Sequence, residues 1–211
     1  YTATLLALDP KTGKVKWHRQ EVPMDTWDFD AVYESLLVPD GKGGESLVHL
    51  NKNGFVYVMN KDNGNIKNAW QFTENFNHGA YSPKTGLWYS HGMEICNFVT
   101  SAKADEPPKG ISALYLGLSE ITLTDPPGKK ADGWLKAFDP LTGKVKWTIR
   151  YELPPLSSVL TTAGGLVFTG DMVGNLYAYD ADNGKELWKF NAGSGARGGP
   201  VSYAVNGKQY I

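Results

Sequence analysis

A chain of 211 residues with a formal net charge of −1 carries no charge excess that would draw it to nucleic acid or an anionic membrane. Its single cysteine, Cys96, excludes an internal disulfide framework, and no apolar run has the length of a transmembrane helix. The 24 glycines and 12 prolines suit a fold built from many tight turns.

The chain enters in an extended stretch, Tyr1-Thr2-Ala3-Thr4, and a first phrase follows: Leu6-Ala7-Leu8-Asp9-Pro10-Lys11-Thr12-Gly13-Lys14-Val15-Lys16-Trp17. Alternating apolar residues lead into Asp-Pro-Lys-Thr-Gly, whose Asp and Gly supply turn hydrogen bonds and a residue tolerant of positive φ. Lys-Val-Lys-Trp then alternates polar and apolar side chains at the strand period. The phrase predicts strand, tight turn, strand. Its Ala is small where sheets approach closely, and its Trp is a flat wedge with one N–H to satisfy.

Next comes Pro23-Met24-Asp25-Thr26-Trp27-Asp28-Phe29-Asp30, which breaks the repeat grammar. On an extended chain, residues two apart point the same way, so Asp28 and Asp30 share a face. Like charges this close repel unless both face water or a cation lies between them. Such a pair suits a hard, oxygen-seeking cation such as Ca²⁺, Mg²⁺ or a larger trivalent ion. From spacing alone, a solvated Asp-rich turn is the more ordinary reading, since charged side chains are mostly exposed.

Lys52-Asn53-Gly54-Phe55-Val56-Tyr57-Val58-Met59-Asn60-Lys61-Asp62-Asn63-Gly64 is a degenerate copy, with Asn60 for the Asp and Trp70 two positions late. Lys52 precedes its apolar strand, beside a glycine that lets a ligand approach the backbone. It reads either as a cation for a ligand oxygen or as a surface lysine. Ala80 to Tyr89 predicts another hairpin, and Ser101–Gly110 and Asp125–Gly133 predict polar loops. The phrase returns in full at Lys136–Trp147 and Tyr177–Trp188, 41 residues apart, which fits one four-stranded propeller blade of about 40–45 residues. The chain leaves in another extended stretch, Gly207–Ile211. His18, His49, His78 and His91 show no metal-ligand spacing, and no phosphate-cradling glycine motif precedes a helix. The expected fold is all-β: a partial β-propeller of about four to five four-stranded antiparallel blades, one segment over residues 1–211 of a longer polypeptide.

Taken in order, these phrases resemble the pyrroloquinoline quinone (PQQ) alcohol dehydrogenases, quinoproteins with eight-bladed propellers. The resemblance runs through Leu5–Pro10, Trp27-Asp28-Phe29-Asp30, Lys52–Val58, Tyr81–Leu87, Val159–Thr162, Gly165–Gly170, Gly193-Ser194-Gly195 and Gly199-Pro200-Val201. It implies that Asp28 is the catalytic base and a metal ligand, and that Lys52 meets the quinone oxygens. It implies that Asp30 is the extra aspartate of the lanthanide-dependent members, with Ca²⁺ as the alternative ion. It further implies a small primary alcohol as substrate, a cytochrome c type electron acceptor, a periplasmic location and the option of a homodimer. The upstream Glu and Asn of the family's metal site lie outside this segment, so the segment alone is expected to be inactive. Met93 stands where the family has a ring-contacting Asn, and Leu156-Ser157-Ser158 where it has Trp-Gly-Gly. A non-catalytic propeller with the same repeats, a periplasmic binding or assembly scaffold, is the alternative. Trp27–Asp30 and Lys52 speak for the enzyme, since a scaffold has no use for them.

Overall fold

The structure is a computed structural model that describes residues 3–25, 29, 33–73, 77–101 and 118–211. The described strands are all antiparallel neighbours. β1 (Thr4–Leu8) pairs with β2 (Val15–Gln20). Three four-stranded sheets follow. The first is ordered β3 (Ser35–Pro39), β4 (Glu45–Leu50), β5 (Phe55–Asn60), β6 (Ile66–Gln71). The second contains β7 (Ala80–Ser82) and β8 (Leu87–Glu94), then β11 (Asp132–Phe138) and β12 (Val145–Tyr151). Between β8 and β11 the chain makes a separate pair, β9 (Cys96–Ser101) with β10 (Leu118–Thr124). The third sheet is β13 (Leu160–Thr161), β14 (Leu166–Gly170), β15 (Asn175–Asp180), β16 (Glu186–Asn191), and β17 (Tyr203–Val205) pairs with β18 (Lys208–Tyr210). This all-β, multi-sheet arrangement resembles a partial β-propeller.

The repeated phrase does the same work each time. Asp9 Oδ1 accepts the N–H groups of Lys11 and Thr12, and the Gly13 N–H returns to the Asp9 carbonyl. Asp139 and Asp180 repeat this pattern. In the degenerate copy Asn60 keeps the first of these bonds, its Oδ1 accepting from Asp62 N–H as an aspartate would, and the Gly64 N–H still returns to the Asn60 carbonyl. The ladder carries a register irregularity after Ala7, Ala137 and Ala178, and after Val58.

The tryptophans then join one sheet to the next. Trp17 donates Nε1–H to the Lys61 carbonyl, Trp70 to Pro140 and Trp147 to Ala181. Each ring lies on a turn glycine with positive φ: a Cβ on Gly64, Gly143 or Gly184 would fall 2.6, 2.5 or 2.9 Å from the indole. Glycine serves there for both its conformation and its missing side chain. Trp70 reaches its partner despite sitting two positions late, because a shift of two keeps a strand residue on the same face.

The second sheet is buried on both sides. Consecutive residues of β8 face opposite ways. Trp88 joins Phe138, Val48, Val56 and Leu50 on one side, whereas Tyr89 joins Leu135, Ala137, Val167 and Tyr179 on the other. The β9–β10 pair was not expected, and β11 begins at Asp132, inside a segment expected to be loop. Phe98, Ile121 and Leu123 of that pair are largely exposed, so no core imposes the apolar-in, polar-out alternation by which a strand is recognised. Residues 102–110 of the other expected loop lie outside the described residues.

Candidate functional site

In each antiparallel sheet the alternation of strands returns the chain to one end. The segments after β2, β4, β6, β12, β14 and β16 therefore share an end, opposite the Asp-Gly turns. Hydrogen bonds tie these segments into a network. Glu34 is a main knot: Oε1 accepts from Gly79 N–H at 2.8 Å and Trp88 Nε1–H at 3.2 Å, and Oε2 lies 2.9 Å from His78 Nδ1. The His78 carbonyl accepts from Val159 N–H at 3.0 Å. Ser157, two residues before, receives His91 Nδ1–H on its carbonyl at 2.7 Å and donates its hydroxyl to Gly198.

The predicted residues fall here unevenly. Asp28 and Asp30 lie outside the described residues, as does Trp27. Phe29 is described, and so are the anchors of the segment that carries them. At its start Glu21 donates its N–H to the Ala3 carbonyl and accepts from Asn51 on its carboxylate; at its end stands Glu34. Lys52 is half-buried in the turn between β4 and β5, whose first residue, Asn51, is bonded to Glu21. The segment of the predicted carboxylates is therefore hydrogen-bonded to the turn of the predicted amine. Met93 is buried in β8, paired with Gly133, and its carbonyl accepts from Thr73 at 2.7 Å. Leu156 is half-buried beside the buried Ser157.

Several polar groups at this end escaped sequence reasoning: Glu21, Glu34, His49, His78 and His91. Their partners lie 30 to 66 positions away in several cases, so no local spacing announces them. His91 is fully buried, and burial pushes its pKa down to about 4; it is a neutral structural donor rather than a base. Lys136 lies 4.3 Å above the Trp134 ring, and burial lowers its pKa. Among the described residues, Glu21 Oε1, Asp132 Oδ1 and Trp134 Nε1 are buried without hydrogen-bond partners. Unsatisfied buried polar atoms gathered at one end of a fold are unusual, and a polar group brought to that end can satisfy them.

The chain matches the protein family described as PQQ: Glucose/ethanol/alcohol dehydrogenase, beta-propeller domain, over residues 1–77 and 148–211. It belongs to that family. Among similar proteins, the quinoprotein ethanol dehydrogenase of Pseudomonas aeruginosa is 33% identical over 264 residues, covering 100% of this chain and 41% of the relative. The 1-butanol dehydrogenase (cytochrome c) of Thauera butanivorans is 29% identical over 255 residues, covering 100% and 37%. A europium-containing methanol dehydrogenase superposes with a TM-score of 0.85 at 29% identity, over 99% of this chain and 43% of that one. The chain thus spans about two fifths of the length of these PQQ-family relatives. Among the described residues, the half-buried Lys52 can meet an anionic or carbonyl oxygen such as a quinone offers, and Glu21 Oε1, on the segment bonded to the same turn, has no hydrogen-bond partner.

Proposed function

We propose that this chain is the C-terminal part of a PQQ- and metal-dependent alcohol dehydrogenase. In this reading it forms about four to five blades of an eight-bladed ring, with Trp17, Trp70 and Trp147 as docking side chains between blades. Bound PQQ supplies a two-electron acceptor, and the cation beside it supplies Lewis acidity. Asp28 takes the O–H proton of a primary alcohol as a general base, and Asp28 with Asp30 holds the cation. Lys52 places a positive charge on the quinone oxygens and so orients the cofactor. The extra negative charge of Asp30 favours a trivalent lanthanide over Ca²⁺, since higher cation charge calls for more anionic oxygen ligands. Electrons leave to a cytochrome c type acceptor, in keeping with the name of the Thauera relative. A periplasmic location completes the proposal.

What carries the reading is that the family match over residues 1–77 includes both the Trp27–Asp30 motif and Lys52. The full-length protein, reconstituted with PQQ and either Ca²⁺ or a light lanthanide, is expected to oxidise short alcohols in a dye-linked assay. No oxidation under either condition would abandon the enzyme reading. Asp30→Ala is expected to lose the lanthanide-supported activity while keeping the Ca²⁺-supported one. Equal loss with both ions would remove Asp30 from the metal assignment.

A further inference from the structure

Glu21 follows β2, and its side chain is only 3% exposed, an uncommon place for a carboxyl group. Asn51 Nδ2 donates to its Oε2 at 2.7 Å, His49 Nε2 lies 3.4 Å from the same oxygen, and Oε1 is buried without a hydrogen-bond partner. His49 is equally buried. Its Nδ1 lies 3.3 Å from the Glu34 carbonyl, which can only accept, and 3.3 Å from the Ser35 hydroxyl, which can accept too, so a proton on Nδ1 serves both neighbours. With Nδ1 protonated and burial disfavouring both charged forms, the one proton between Nε2 and the carboxyl rests on Glu21.

The same contact reaches Lys52. Asn51 is bonded at all four of its polar atoms. Nδ2 goes to Glu21, Oδ1 accepts from Asn53 N–H at 2.9 Å, its N–H donates to the Phe55 carbonyl, and its own carbonyl accepts from Gly54 N–H. A change at Glu21 is thus passed to the backbone on both sides of Lys52.

We propose that Glu21 and His49 form a buried proton-sharing pair that positions the Lys52 turn through Asn51. Glu21 is then a positioning residue. That Lys52 meets a cofactor rests on the function proposed above; the pair and its hold on the turn do not. Burial pushes the Glu21 carboxyl up to about 7, opposed by the Asn51 hydrogen bond, and burial holds His49 below its ordinary value. A carboxyl raised on folding stabilises the fold fully below its unfolded value of 4.5, and that contribution is lost as pH rises through about 7. The charged groups on the segments adjoining the pair are Glu34, whose carboxylate is engaged by Gly79, Trp88 and His78, and Lys52 in the turn after β4.

Infrared titration of the full-length protein is expected to show a buried carboxyl stretch that disappears near pH 7 and is absent from Glu21→Gln. Amide-exchange protection of residues 51–54 is expected to fall between about pH 4.5 and 7, by roughly tenfold per pH unit at most, because an opening that wets Glu21 is favoured once the carboxyl can ionise. In Glu21→Gln, which keeps the Asn51 contact but cannot titrate, that fall is expected to vanish. A wild-type protein with no such band, or a variant whose 51–54 protection keeps the wild-type pH course, overturns the proposal. Should Glu21→Gln not fold, His49→Gln keeps the carboxyl but removes the imidazole, and both transitions are then expected to move to a different pH; transitions left where they were would overturn the pair. Neither readout needs PQQ, so an inactive holoprotein with both results intact would sink the function and leave the pair standing.

Discussion

Replacing Asp28 by Asn in the full-length protein is expected to lower the kcat of alcohol oxidation by about 10²- to 10⁴-fold, the usual scale for losing a general base. Asparagine matches aspartate in size and keeps one oxygen that a cation can use, but it cannot take a proton at neutral pH. The change therefore separates base chemistry from placement of the segment. The segment should stay in place, because its anchors are untouched: Glu21 on Asn51 at one end, Glu34 on Gly79 and Trp88 at the other. Thermal unfolding of the variant is thus expected to match the wild type in the absence of metal. Removing one negative charge should also weaken cation affinity, so the assay is run at saturating metal. An Asp28→Asn protein that keeps most of its turnover would take the base assignment away from Asp28.

Phe138→Ala is expected to be the most damaging core substitution, costing about 3–5 kcal/mol of stability. Phe138 belongs to β11 in the second sheet, yet its ring packs among residues of the first. It sits 5.1 Å from Trp70, 5.0 Å from Phe72 and 5.5 Å from Trp88, with no solvent exposure. Truncation would open a cavity walled by three rings that cannot all collapse into it. Trp70 is held at its far edge by the Pro140 carbonyl and Gly143, and Trp88 by Glu34. The second of these links bears on the proposed function, since Glu34 also stands at the end of the segment whose sequence carries Asp28 and Asp30. Denaturant titration of Phe138→Ala beside Phe138→Leu tests this. Leucine is expected to cost markedly less, because it fills much of the volume. An alanine variant losing under about 1 kcal/mol would mean that the two sheets close over the gap.

How far the sequence foretold the site depends on where each partner lies. Lys52 and the Asp28–Asp30 pair stand out locally, by motif and by spacing, although the two carboxylates fall outside the described residues. Glu21, Glu34, His49 and His91 do not stand out. Each reads as an ordinary strand or loop residue, because its burial and partners come from segments far along the chain. His91 meets Ser157 across 66 positions, and Trp88 meets Glu34 across 54. The β9–β10 pair stayed hidden for a different reason: without a core beneath it, no apolar rhythm marks its strands.

By itself the order of residues determined what short-range chemistry can determine. Asp or Asn, then Gly, closes each copy of the repeated turn; alternation sets the strands; and a recurring Ala, Gly and Trp declares sheets of one design. Only the tertiary structure decided which sheet each tryptophan covers, that the second sheet is walled on both sides, and that a buried carboxyl and imidazole meet beside the Lys52 turn. Contacts of that kind depend on closing loops of tens of residues, and the side chains that meet there carry no local mark of their partners.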